Sequence, residues 1–333
     1  MTSLALVVQV IGLASRFFTS ASMLSLATRR RLHDVGWTEI HVTQMRKAAS
    51  CGEILKRDLA GGRGSMSSYA LLGSVFHHAV ADPDMEIRGG DRGYWYQLLR
   101  QYSEDQEYTR KGKAISEMDL IDYANSLVSG EGILPAKILA KMVRLEIMGF
   151  GWDITEAEIN MRYTDVGEHG EDGYGKYPIV FDGTIDILMS NREGKLGIVD
   201  IKTTGLWDRT IKGKGSIKGQ SWGDLQLRNH RQLKHYDWLF NKLYGKRVSS
   251  YGLSFPANFV PYKTGAKKGQ MRGNGLFLTR AEHDLSVYEQ DIKRHLSIWS
   301  LPWGLGRDYP EIWGKTSCPT CKYYLPCMGG ASD

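Results

Sequence analysis

The 333-residue chain reads as an α/β protein, and three features predict that class. Two β-rich runs, 179–189 and 196–204, flank the turn cluster Asn191-Arg192-Glu193-Gly194-Lys195 and form a hairpin. Long helical segments precede the hairpin, and helix alternates with strand after it. A content of 42% hydrophobic and 24% charged residues, with nine Trp, excludes a disordered chain. The length allows one large domain with insertions or two domains of ordinary size.

Taken in order, residues 41–59 form a helix carrying Cys51, broken by Gly61-Gly62-Arg63-Gly64. Residues 69–80 form a second, apolar helix containing Gly73, His77 and His78. The segment 92–149 is helical with breaks, including 119–127 and 136–148, and stands as an insertion before the first strand at about 154–163. A polar loop follows at 165–176, then the hairpin, then a basic Gly-rich loop at 211–223. A helix at 225–243, strands at 248–260 and 275–279 and a last helix at 285–299 complete the pattern, with a basic loop at 262–273.

The first 30 residues stand apart. An apolar run of ten, Leu4 to Leu13, is too short to span a bilayer and has no basic segment before it. No acid precedes Asp34, and Arg16, Arg29, Arg30 and Arg31 lie among Ser and Thr, a loose match to an organellar transit peptide. A helical extension, or translation from Met23, accounts for the same residues. The expectation is an N-terminal extension over 1–35 and a cytoplasmic protein, or a mitochondrial one if the extension is a transit peptide. No membrane association is expected.

Charge is unevenly placed. Residues 201–275 hold 15 Lys or Arg against three acids, a local excess of +12 within a total of +6, so the rest of the chain carries −6. Such a stretch suits a polyanion, most often nucleic acid, and equally suits a solvated lysine-rich surface. The four cysteines are also uneven: Cys51 alone, then Cys318, Cys321 and Cys327 in a C-x2-C-x5-C cluster. A large chain with so few cysteines is unlike a secreted disulfide scaffold, and four thiolates complete a ligand set for zinc or an iron-sulfur cluster. Two disulfides are the plain alternative.

The chemistry centres on the hairpin. Asp186 and Asp200 each lie seven residues from Glu193, so symmetric closure makes them cross-strand partners. Two carboxylates facing each other repel unless a cation lies between them, and a divalent ion with oxygen ligands, Mg2+ or Mn2+, reverses the sign. Strand alternation puts Lys202 on the face of Asp200, with Ile201 opposite. A lone D-x-K is weak, since a chain of this length holds on the order of one by chance. Its companions are Gly73-x3-His77 on an apolar helix and Gln232 with Tyr236, four apart on one helix face. Singly, His77 reads as a core histidine and the Gln232/Tyr236 pair as ordinary helix surface.

In this order, Gly73 to His77 (G-x-x-x-H), Gly183 to Asp186 (G-x-I-D), Asp200 to Lys202 (D-x-K) and Gln232 to Tyr236 (Q-x-x-x-Y) resemble the RecB-like branch of the PD-(D/E)XK nucleases. The cysteine pattern looks like the iron-sulfur clasp of AddB-type, CRISPR-associated RecB-like and exonuclease V-like members. The resemblance covers about 43–327. It implies a restriction-endonuclease-like core: a central mixed sheet flanked by helices, with a helical insertion and a cluster-bound C-terminal segment, in a single domain over 36–333.

By the same resemblance, His77, Asp186, Asp200 and the main-chain carbonyl of Ile201 bind the metal. Lys202 activates water and stabilises the scissile phosphate, while Gln232 and Tyr236 support the site and contact the DNA backbone. A Glu on the preceding strand belongs to the set. Glu156 and Glu158 compete for it on one strand face, with Glu158 favoured, and Asp182 competes with Asp186 but precedes Gly183. Cys51, Cys318, Cys321 and Cys327 would hold a [4Fe-4S] cluster in preference to zinc.

The implied activity is a Mg2+- or Mn2+-dependent deoxyribonuclease, an exonuclease on single-stranded DNA or DNA ends in recombination, repair or replication. A nuclease trimming DNA for a partner integrase, and a non-catalytic iron-sulfur nucleic-acid-binding protein, are the other readings. No G-x4-G-K-[ST] motif is present, so a helicase motor, like a recombinase, would be a separate chain. Trp207, Trp222, Tyr236 and Tyr262 are available for base stacking, although these aromatics, like Trp238, suit a core better.

Overall fold

The computed structural model describes residues 26–34, 36, 38–42, 66–104, 108–110, 113–130, 134–166, 177–203, 231–259, 265–266, 268–270, 275–281 and 284–299. The four cysteines and the 204–230 part of the basic stretch lie outside the described residues, as do residues 1–25 and 43–59. In chain order the elements are α1 (Leu26–Asp34), β1 (Glu39–His41), β2 (Met66–Ser67), α2 (Ser68–Ala81), α3 (Met85–Arg88), α4 (Arg92–Glu104), β3 (Tyr108–Arg110) and β4 (Lys113–Ala114). There follow α5 (Glu117–Ser129), α6 (Ala136–Gly149), β5 (Trp152–Asp165), β6 (Ile179–Asn191), β7 (Leu196–Ile201), α7 (Arg231–Tyr244), β8 (Ser250–Ser254), a 3-10 turn (Pro256–Phe259), β9 (Leu276–Arg280) and α8 (Ser286–Trp299).

The protein is a mixed α/β structure with a central mixed sheet flanked by helices. The strand order is β1-β6-β7-β8-β9, with β5 on the other edge of β6. β6 is antiparallel to β5 and β7 and parallel to β1, while β7 and β8 are parallel. The parallel pair is joined through α7, as a same-sheet parallel connection requires a crossover.

Local chemistry explains most elements. The hairpin closes as the sequence predicts: the Asn191 side chain accepts the Glu193 and Lys195 N–H groups at 3.0 Å each, and Gly194 takes φ +71°. Helix α5 begins in a capping box between Ser116 and Asp119 and ends at Gly130 with φ +64°. Helix α2 is apolar on nearly every side, and Leu71, Leu72, Val75, Phe76, Ala79 and Val80 are all buried.

Two cores lie on opposite faces of the sheet. On one, α2, α4, α5 and α6 cover Ile187, Met189, Val199 and Ile201. On the other, α7 and α8 cover Phe181, Ile185, Leu188, Ile198, Tyr251 and Leu253. Asp237 on α7 ties that helix to β8: fully buried, it accepts hydrogen bonds from Arg247 Nε (3.0 Å) and Nη2 (2.7 Å), the Val248 N–H (3.2 Å) and the Tyr251 hydroxyl (2.7 Å). Trp238 is in this core at 1% exposure.

Several expectations are corrected. His41 does not open a helix but ends β1, because Glu39–His41 pairs in parallel with Val180–Asp182. The 248–260 strand stops at Ser254, and Pro256, which cannot donate to a ladder, begins a 3-10 turn. The 92–149 insertion is not purely helical: β3 and β4 join β2 in a small separate sheet. The described part of the 225–243 helix starts at Arg231, and the first predicted strand is longer, Trp152–Asp165. Among the described residues, no helix is long and apolar enough to cross a membrane.

Candidate metal centre

Strand pairing builds the site. β5 runs along one edge of β6, so β1 and β7 share the other, β1 beside 180–182 and β7 beside 187–190. The two ends point toward each other, and the sheet opens around 183–186. The β6–β7 ladder ends at Ile187–Val199, so Asp186 and Asp200 lie immediately beyond its last pair.

The same place is where the long strands exchange faces. On β5, Ala157 belongs to the α2-side core and Ile159 to the α7-side core. On β6, Ile185 faces α7 and Ile187 faces α2. Simple alternation would keep each pair on one face. On β5 the inversion falls at Glu158, whose φ of +52° is a left-handed conformation that non-glycine residues rarely hold. Such strained backbone clusters at functional sites.

The kink aims the Glu158 carboxylate at α2. His77 Nδ1 lies 2.7 Å from Glu158 Oε1 and 3.5 Å from Asp186 Oδ1. Glu156, expected on the same strand face as Glu158, does not share it; it is exposed, and its charge acts on Tyr244 of α7. Asp182 pairs by register with His41 and Arg162, away from His77.

Around this trio the remaining motif residues form a connected set. The Ile201 N–H donates to Asp186 Oδ2 at 2.6 Å, fixing one carboxylate oxygen. Lys202 Nζ forms an ion pair with Asp200 Oδ2 and donates to Gln232 Oε1 at 3.2 Å. Gln232 Nε2 donates to the Tyr236 hydroxyl at 2.8 Å. Gln232 and Tyr236 are 8% and 3% exposed, so both face Lys202 from within the protein.

Two motif glycines are sites of close approach. A β-carbon on Gly183 would lie 3.2 Å from Tyr236 Cε1 and 3.3 Å from Val42 Cβ. A β-carbon on Gly73 would lie 3.1 Å from Thr203 Oγ1. Thr203 was not among the residues singled out from the sequence. Its one trace there is the glycine opposite it, in the interior of an apolar helix where glycine is a poor helix former.

Electrostatics follow from crowding acids in a buried place. Burial pushes Asp186 up and His77 and Lys202 pull it down, but Asp200 and Glu158 add to the rise, leaving it at about 7. Burial depresses His77, yet Asp186, the Glu158 hydrogen bond and Asp200 outweigh it and raise His77 to about 9. Burial, with the charges of Asp186 and Asp200, holds the Tyr236 phenol well above its ordinary value. The metal-free cluster therefore retains protons near neutrality, a property shared by the group as a whole.

His77, Glu158 and Asp186 offer ligand atoms within 4.8 Å of one another. His77 presents Nδ1 to both carboxylates. One imidazole and several carboxylates suit a hard divalent ion such as Mg2+ or Mn2+. The donor set thus fits a metal, with Asp200 held alongside by Lys202.

No family model and no curated protein matches the chain. Among solved structures, that of SSO0001 is similar at 13% identity over 90% of this chain and 93% of the other, with a TM-score of 0.32.

Proposed function

We propose that the protein is a metal-dependent nuclease with a PD-(D/E)XK-type core, hydrolysing phosphodiester bonds in single-stranded DNA or at DNA ends. The observation that carries this reading is the convergence of His77, Glu158 and Asp186, from three separate elements, beside the Asp200–Lys202 pair. Glu158, Asp186, Asp200 and His77 would hold the ion. When bound, Mg2+ or Mn2+ supplies a more acidic water and positive charge for the phosphate.

The chain's own groups do the rest. Asp186 is oriented by the Ile201 N–H, and Asp200 keeps Lys202 in place. The Lys202 ammonium, a quarter exposed and steadied by Gln232, offers a fixed positive charge to an incoming phosphate oxygen. Tyr236 backs Gln232 from the core. Lys202 also opens the basic stretch, whose charge suits a nucleic-acid backbone. Two other basic residues of that stretch are used internally, Arg247 on Asp237 and Lys242 on Glu289, so the free charge is smaller than the count.

The test is Mn2+-dependent release of nucleotides from single strands labelled at the 5′ or 3′ end. Asp200→Ala with Lys202→Ala should abolish it, and full activity in that double variant would sink the proposal. The four cysteines are proposed to hold a [4Fe-4S] cluster that fastens the two ends of the chain. Anaerobically purified protein should then show visible absorption bleached by dithionite, whereas a colourless protein carrying zinc would refute the iron assignment.

A further inference from the structure

Beside its apolar packing on the sheet, helix α2 makes two close contacts one turn apart. His77 reaches Glu158 and Asp186, and four residues earlier, on the same helix face, Gly73 lies against Thr203. Thr203 is next to Lys202, whose own N–H is fixed by the Ser254 carbonyl at 2.8 Å. The chain leaving β7 is therefore anchored where the helix touches it.

We propose that Gly73 and Thr203 form a spacer that sets how closely α2 brings His77 to the carboxylates, making both positioning residues. This rests on the metal reading above. With no side chain at 73, the helix backbone descends to the threonine hydroxyl. A β-carbon at 3.1 Å would force one side to give by a few tenths of an ångström. Metal–ligand distances are held to about 0.2 Å, so a displacement of that size at one turn matters at the next.

The experiment measures Mn2+ binding to the purified full-length protein by calorimetry, with melting in EDTA as the control for folding. Gly73→Ala should weaken Mn2+ binding about tenfold, the scale of losses when groups supporting metal ligands are altered. Its metal-free Tm should stay close to that of the wild type, because alanine is the better helix former. Adding Thr203→Ala should restore affinity to within about threefold by vacating the hydroxyl's place. Thr203→Val in the same background, which fills that volume, should not restore it.

Should Gly73→Ala fail to fold, Thr203→Ile crowds the contact from the other side and should show the same weakening. Wild-type protein that binds Mn2+ while Gly73→Ala binds it equally well overturns the spacer alone. Failure of Thr203→Ala to rescue removes Thr203 from it. Wild-type protein that binds no Mn2+ removes the metal reading, and the spacer with it.

Discussion

Lys202→Met separates the two roles of the lysine, because methionine keeps an apolar stem and deletes the charge. Lys202 Nζ is paired with Asp200, whose side chain is 2% exposed, and donates to Gln232 Oε1 at 3.2 Å. Removing one partner of a buried ion pair costs about 3–5 kcal/mol. The lysine is 25% exposed, so solvent screening brings the expected loss to about 2–3 kcal/mol. At about 2.1 cal/mol/K per residue, 333 residues unfold with an entropy of about 0.7 kcal/mol/K, which makes the loss about 3–4 °C in Tm. A divalent ion beside Asp200 replaces the missing positive charge, so saturating Mn2+ should recover most of that stability. Turnover should stay on the order of 10²–10³ below wild type, the usual cost of removing a group that stabilises transition-state charge. Melting in EDTA and in Mn2+, with initial rates on end-labelled single strands, reads both effects. Turnover within about threefold of wild type would refute the role of the lysine, and a Tm loss indifferent to Mn2+ would place the ion away from Asp200.

Two further outcomes follow from the buried acids. Without metal, stability should fall as pH rises from about 4 to 9. Asp186 binds its proton more tightly folded (about 7) than its ordinary 3.8, so its contribution is lost as pH rises through 7; His77, raised from 6.5 to about 9, loses its contribution as pH rises through 9. Urea unfolding in EDTA should show this decline in the wild type and a much flatter profile in Asp186→Asn; equal profiles would contradict the assigned cause. Asp237→Ala removes the acceptor shared by the partly exposed Arg247, the buried Val248 N–H and the buried Tyr251 hydroxyl, and should cost about 2–3 kcal/mol while Mn2+ affinity of the folded protein stays unchanged. Equal melting of Asp237→Ala and wild type would mean that this network contributes nothing.

What was legible in the sequence is what local chemistry decides. The turn at 191–195 has its Asn and Gly where a tight hairpin needs them, so the register followed as far as Ile187 and Val199, the residues next to Asp186 and Asp200. Helix α2 was legible because it is apolar on nearly every side, and the order of His77, Asp186, Asp200 and Lys202 is read directly from the chain. β1 was not, since three residues acquire strand character only by pairing with 180–182, about 140 positions later. The small sheet of β2, β3 and β4 is hidden for the same reason. Glu158 and Glu156 share a face only if strand alternation is unbroken, and a positive φ at a glutamate leaves no mark in composition.

That failure points to how the site is made. A strand buried on both faces cannot point an acid into either core without a cost of several kcal/mol. At Asp186 the problem is met by inverting the two paired strands at one level, so that Ile185 and Ile187 fill opposite cores while the acid lies at the crossover. There the neighbouring edge has opened between β1 and β7, the Ile201 N–H takes one carboxylate oxygen, and His77 reaches the other side from α2. The strain at Glu158 is thus the price of putting a second carboxylate at that level. Glu158→Gly would relieve the backbone and remove the ligand together, whereas Glu158→Asn, a residue more tolerant of positive φ, keeps the kink while removing the charge and shortening the side chain by one methylene. If the inversion exists to serve the site, Glu158→Asn should fold as well as wild type and lose Mn2+ affinity. Loss of folding in Glu158→Asn would instead show the carboxylate–His77 bond to be part of what holds the two faces in place.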